Sequence, residues 1–265
     1  MQNFTSLTQA LKTASLDDIF AQVLTQVKEH PQDLKAREVL FKLYCVEGTW
    51  DKALLQLQTL ALLEEGLQKQ LELFKNLVFS EMQRSQVLTG ERQAATLKGE
   101  SPEWMIKLQQ ANAERFQGKV QQAEMTRQQA FDLAPVSSGE SATLGEFSWI
   151  ADSDSRLGPV CEFIYAGGYR WLPFSSLQTL TVSKPEDLLD LLWIPSTITM
   201  DNEAYYGYIP ARYPVSNTDS QDCKLGMKTQ WSTESDLLSI GTGRKVLITD
   251  LSEHSIMEVD DIVFR

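Results

Sequence analysis

Apolar residues in the first half of the chain recur at steps of three and four. Leu67, Leu71, Phe74, Leu77, Val78 and Met82 share one face of a helix by this rule, so the spacing predicts one long amphipathic helix there, with the next ending near Gly99. The pattern also repeats at a fixed interval. Ala14, Leu16, Ile19 and Val23 are followed 34 positions later by Gly48, Trp50, Ala53 and Leu57. Gly118, Val120, Ala123, Ala130 and Pro135 reproduce the spacing of small and apolar positions once more, 70 residues on from the second copy, which is two more than two repeats. A small residue lets two antiparallel helices approach at their turn. The bulky residue two places on fills the gap between successive pairs.

An interval of 34 residues is the tetratricopeptide (TPR) period. Units of this kind must stack to bury their apolar faces, and their stacking builds a surface for partners. The expectation for residues 1–135 is a TPR-like α-α superhelix with an irregular middle, as against a non-repeating helical bundle. Leu16, Val23, Leu40, Tyr44, Trp50, Leu57, Leu60, Phe74 and Phe116 are its expected core.

Beyond Pro135 the texture changes. Residues 136–147 are polar, small and glycine-bearing and read as a linker, after which short apolar runs alternate with glycine, proline and aspartate. Strands are expected at Val160–Tyr165, Tyr169–Pro173, Tyr205–Tyr213, Asp236–Ile240, Lys245–Asp250 and near Ile256–Phe264. Lys184–Trp193 reads as a helix, with proline near its start, acids in the first turn and Leu188, Leu189, Leu191, Leu192 and Trp193 facing inward. The predicted fold is multidomain: an α-helical array over 1–135 and a β-rich α+β domain over 148–265.

Composition sets limits on this picture. A chain of 265 residues with 42% apolar and 23% charged residues has material for two domains, each with its own core. The N-terminal stretch lacks a basic patch followed by an apolar run, and no segment approaches the length of a membrane span, so the expected location is the cytoplasm. Cys45, Cys161 and Cys223 are odd in number and widely spaced, which predicts buried reduced thiols rather than a disulfide framework or zinc knuckle. Residues 1–135 carry 15 basic and 17 acidic side chains, against 9 and 19 in residues 136–265. The acidic second half would repel nucleic acid and anionic membranes, and its charge is expected to keep the chain soluble, with attraction of basic protein segments as the alternative.

Candidate chemistry is sparse. Asp152, Asp154 and Glu162 form an acidic group, but the glycine-centred loop and terminal glutamate of an EF-hand are missing, and Arg156 among them predicts a structural ion pair instead. Gly241-Thr242-Gly243-Arg244 resembles a phosphate loop only superficially, because a strand-like run and no helix follows; it is expected to be a hairpin turn. His30 and His254 are more than 200 positions apart and make a poor catalytic or metal pair. No cofactor, metal or catalytic site is expected. Large aromatics crowd the second half. Most must be core, yet Arg170, Trp171, Trp193, Arg212 and Tyr213 combine residue types that dominate interfaces and are the candidate partner-binding patch. Asp190 is a candidate ion-pair partner for Arg170 or Arg212.

Six segments of the second half identify a family: DSDSRLGPVCEFI (152–164), GYRWLPF (168–174), PEDLLDLLW (185–193), IPARYP (209–214), LGMKTQW (225–231) and GTGRKVL (241–247). Their order and spacing resemble the ImpE family, also called TagJ or SciE-type proteins, accessory components of the bacterial type VI secretion system. The resemblance reaches into the helical half through RxxLFxLYxxxGxWDKALxQL (37–57). It implies a non-enzymatic adaptor that binds the N-terminal helix of the small contractile-sheath subunit and is linked to the AAA+ ATPase ClpV, which dismantles the contracted sheath. Two other roles stay open: a small-ligand or enzymatic domain with a pocket at Tyr169, Trp171, Arg212 and Tyr213, and a chaperone of sheath subunits. The family pattern favours arginine where this chain has Leu189 and Met227, which puts in doubt any role for a basic patch there.

Overall fold

The computed structural model describes residues 14–265. Six helices come first: α1 (Leu16–Glu29), α2 (Leu34–Val46), α3 (Trp50–Leu63), α4 (Gln68–Thr89), α5 (Glu103–Phe116) and α6 (Val120–Leu133). Local chemistry sets their ends. Ser15 accepts the Asp18 N–H at the start of α1, Asp33 accepts the Ala36 N–H at the start of α2, and acids occupy the first turn of α1. The repeat-matched alanines Ala53 and Ala123 are both buried, as close helix approach requires, whereas Phe116 is 58% exposed and lies outside the core expected for it.

Most of the regular structure in the remainder is antiparallel strand. Its strands are β1 (Gly139–Ser141), β2 (Gly145–Phe147), β3 (Ile150–Asp152), β4 (Val160–Tyr165), β5 (Gly168–Pro173), β6 (Thr179–Val182), β7 (Trp193–Met200), β8 (Glu203–Pro210), β9 (Arg212–Tyr213), β10 (Thr229–Ser235), β11 (Leu238–Arg244), β12 (Val246–Thr249), β13 (Glu253–Ser255) and β14 (Asp261–Phe264), with a short helix α7 (Gln221–Lys224) before β10. An eight-stranded sheet has the order β2-β1-β14-β6-β7-β8-β4-β5, and two three-stranded sheets have the orders β10-β11-β9 and β13-β12-β3.

β4 shows how the two halves meet. Alternate strand residues point to opposite faces. Val160 and Ile164 join a core shared with Leu40, Leu57, Val78 and Trp104 of the helices, while Cys161 and Phe163 join a second core with Leu172, Ile194, Ile198 and Ile209. The strand is therefore buried on both sides. The helical layer shares its core with one face of the sheet, in place of the separate cores expected from composition. Cys45, Cys161 and Cys223 are free and buried.

Several sequence expectations are corrected. Lys184–Trp193 holds only a single 3-10 turn, Leu188–Leu191. Asp187 accepts the Leu189 N–H and Asp190 accepts the backbone N–H groups of Glu186 and Asp187, so a reciprocal cap closes the turn on itself. Trp193 instead opens β7, whose alternating burial is that of a strand covered on one face. Residues 136–147 contain β1 and β2 rather than only a linker, with β1 paired to β14 at the other end of the chain. Gly241–Arg244 is strand, not turn: β11 pairs with both β10 and β9. Gly243 has φ 91°, a left-handed conformation that only glycine takes without strain, and a Cβ there would run into the carbonyl of Lys228. Among the described residues no helix is long and apolar enough to cross a membrane.

Candidate functional site

Two features lie where helices and sheets meet. The first is a buried ionic junction. Glu162 lies two positions from both Val160 and Ile164 and shares their face of β4, so it faces the helical layer, where Arg84 of α4 waits. Arg84 Nε donates to Glu162 Oε1 at 2.6 Å and Nη2 donates to Oε2 at 2.9 Å. Arg84 Nη1 also donates to Glu81 at 3.2 Å, and Glu81 accepts the indole N–H of Trp193 at 3.1 Å. On the sheet side, Lys245 donates to Glu162 at 2.6 Å and to Asp152, and Asp152 accepts the Tyr213 hydroxyl at 2.7 Å. The Tyr169 hydroxyl donates to Glu162 and accepts the Trp171 indole N–H at 2.7 Å.

Every member of this junction is buried. Burial favours a neutral Glu162, but the charges and hydrogen bonds of Arg84 and Lys245 outweigh it and hold the carboxyl well below the usual range. Burial likewise opposes the charge on Lys245, and Asp152 and Glu162 overturn that and raise its pKa. For Asp152 burial prevails over Lys245 and raises the carboxyl. Removing one partner from such a group leaves a buried charge unpaired, at a cost of roughly 3–5 kcal/mol.

The second feature is a cleft of about 590 Å³ between the two small sheets and the last long helix. Trp231 and Thr233 of β10 and Ser239 of β11 form one wall, Ala151, Ile248 and Glu253 the other, and Phe131 of α6 closes one side with Gly158 and Pro159. Gly158 has φ 51°, and a Cβ there would lie 2.8 Å from Phe131 Cε1, so glycine lets the ring rest on the loop. That loop is clamped from the helices. Arg127 donates to the Ser155 carbonyl at 2.7 Å, and Asn112 donates to the Arg156 carbonyl at 3.2 Å. Burial pulls Arg127 down to about 10. Asp152 touches both features: it lines the cleft and closes the ionic junction.

The predicted site residues fall differently from the expected patch. Trp171, Trp193, Arg212 and Tyr213 are buried, so in this structure they offer no surface to a partner. Arg212 donates to the carbonyls of Cys45, Val46 and Lys224, which fastens β9 to the C-terminal end of α2, where partial negative charge favours a cation. Burial lowers its pKa to about 10, against the pull of Glu81. Arg170 is half-buried and bonds to its neighbour's carbonyl. Arg156 pairs with Asp154 through two hydrogen bonds of 2.9 and 2.6 Å, as the sequence suggested. Asp190 pairs with neither Arg170 nor Arg212; its carboxylate is spent on the cap. Tyr169, Trp171 and Arg212 line no part of the cleft. Of the two departures from the family pattern, Leu189 is buried and Met227 is 60% exposed.

Glu81, Arg84, Lys245 and Phe131 were not among the sequence candidates for a site. Signals existed. Glu81 and Arg84 continue the apolar stripe of Leu77 and Val78 at helical spacing, and Lys245 opens the strand-like run VLIT; charges in such places need buried partners. Among the described residues no three His, Cys, Asp or Glu side chains converge as metal ligands.

A helical layer bonded through buried ions to an antiparallel sheet, with an open cleft at their border, defines a mixed α/β protein. The chain belongs to the ImpE family. The profile of the ImpE protein family matches residues 145–263. The type VI secretion system accessory component TagJ of Pseudomonas aeruginosa is 34% identical over 261 residues, covering 97% of this chain and 90% of that protein. The crystal structure of protein VPA1032 from Vibrio parahaemolyticus shares the fold, with a TM-score of 0.88 at 23% identity over 97% of both chains.

Proposed function

We propose that this protein is a non-enzymatic accessory adaptor of a type VI secretion system in the bacterial cytoplasm. The observation that carries the reading is its 34% identity, over nearly the whole chain, to a protein with an accessory role in that system. The helical half acts as a TPR-like docking array for the N-terminal helix of the small contractile-sheath subunit, and through it the adaptor influences ClpV-dependent sheath turnover.

Surface apolarity supports this reading. Leu55 and Leu62 of α3 are one heptad apart, so they share a helix face, and both are exposed, Leu62 by 85%. A partner helix laid along α3 would cover them with anchors at i, i+3 or i+4, and i+7. Calorimetric titration of the full chain with a synthetic peptide copying that sheath helix tests the proposal. Saturable binding at micromolar or better affinity is expected, weakened at least about tenfold by Leu55→Asp with Leu62→Asp. No heat with the unaltered chain overturns it.

A further inference from the structure

Sheet edges are where a protein exposes unpaired backbone donors and acceptors, and most proteins cover or blunt them. This one does so at its other edges. At β5 the segment before α5 runs alongside, with the Trp171 N–H donating to the Ala95 carbonyl at 2.9 Å. β2, β3 and β13 are three residues long, and Glu146 on β2 is engaged by Arg265. β10 is different. It runs for seven residues, TQWSTES, pairs only with β11 among the described residues, contains no proline or lysine, and has its one irregularity of register at its end, between Thr233 and Ser235. Its interior residues, Gln230 to Glu234, are all exposed.

β10 also forms a wall of the cleft. Trp231 and Thr233, two positions apart, put their side chains on the same face, and that face is the cleft. Trp231 leans on the Tyr213 ring at 5.6 Å between centroids, and Tyr213 is fixed by Asp152. At the far end Arg115 of α5 pins Glu234. The edge is thus open yet held from both ends.

We propose that β10 accepts an extended segment of a partner protein as an additional strand, with one large apolar side chain of that segment seated in the cleft and a basic residue beside it. A strand added here lies about 4.8 Å from β10, so its residue opposite Thr233 projects into the cleft mouth. Backbone pairing supplies register, and the pocket supplies selectivity. Charge sets the rest of the occupant. Of the two acidic residues in the lining, Asp152 is buried and Glu253 is exposed; no lysine or arginine lines the cleft among the described residues, and residues 136–265, which supply most of the lining, carry 9 basic against 19 acidic side chains. Asp152 is already matched by Lys245; Glu253 has no ion pair among the described residues and is free to meet a cation. This surface is separate from the α3 face and does not depend on the sheath-helix reading.

The test uses the full chain and a displayed library of random peptides of about nine residues, long enough for one strand. Enriched peptides are then synthesised in two forms, N-methylated at odd or at even positions. Because alternate N–H groups of a strand point to opposite edges, one form should bind as the parent does and the other at least about tenfold more weakly. The expected peptides carry an aromatic or branched apolar residue with Lys or Arg near it, and Thr233→Trp, which fills the cleft, should weaken them at least about tenfold. Peptides equally sensitive to both methylation patterns, as a helix would be, overturn the proposal. So does enrichment of acidic peptides, or no enrichment at all. The methylation comparison reads pairing mode even where Thr233→Trp fails to fold.

Discussion

The helices meet the sheets in two ways, and the contrast separates what holds this molecule together from what it offers to others. At the first meeting place Arg84, Glu162, Lys245 and Asp152 fill the space with matched charges, and nothing there is open to solvent. At the second, Phe131 and Trp231 flank a cleft that no side chain among the described residues fills. The most polar chemistry of the chain is therefore architectural, while the border with the least charge is the accessible one. A cluster of ionisable side chains is a common pointer to function. Here the hydrogen-bond partners decide otherwise, since Glu162 is satisfied by an arginine, a lysine and a tyrosine of its own chain.

The contrast breaks most visibly in stability. Arg84→Met leaves Glu162 and Glu81 short of a buried partner and should lower unfolding free energy by roughly 3–5 kcal/mol in urea titration, with much of it regained when Glu162→Leu is added. A loss below about 1 kcal/mol would show that the junction does not hold the halves together.

Acid reads the same junction. The folded-state carboxyl of Glu162 is depressed, so its contribution is complete above the ordinary glutamate value of about 4.3 and is lost as pH falls toward the lower folded value. Asp152 is shifted upward and acts with the opposite sign, losing stability as pH rises from its ordinary value toward the folded one. Chemical denaturation between about pH 3 and 5 should show stability falling with acidification in the parent chain and a shallower fall in Glu162→Gln.

Smaller effects belong to the cleft and to the cap. Gly158→Ala should cost about 1–2 kcal/mol in thermal or urea unfolding, because φ is positive and Phe131 must move. Asp190→Ala removes the reciprocal cap of the 3-10 turn and should cost about 1 kcal/mol. Trp231→Ala should change stability least, within about 0.5 kcal/mol, because the ring is 38% exposed at an edge. A large loss there would mean that the cleft wall is core and blur the distinction between the two meeting places.

Local chemistry was readable in the sequence, and long-range partnership was not. Strands β4 and β5 follow from their apolar runs, and Arg156 with Asp154 follows from their adjacency. The pairing of Arg84 with Glu162 spans 78 positions and depends on which face of β4 meets the helices, which no spacing reveals. Aromatic content misled in a specific way. Trp171 and Trp193 looked suited to an interface, but their indole N–H groups find buried acceptors in Tyr169 and Glu81, which lets both rings lie wholly in the core. The segment 185–193 misled through its leucines, because the aspartates at 187 and 190 cap a single turn and the alternation from Trp193 onward belongs to a strand.

Hydrogen–deuterium exchange on the full chain, with and without saturating peptide from the N-terminal helix of the small sheath subunit, tests the adaptor account most directly. The account predicts slowed exchange along α3 and its neighbours, with amides around Glu162 and Lys245 unchanged because they are already buried and bonded. Unchanged exchange everywhere, at peptide concentrations well above micromolar, would contradict it.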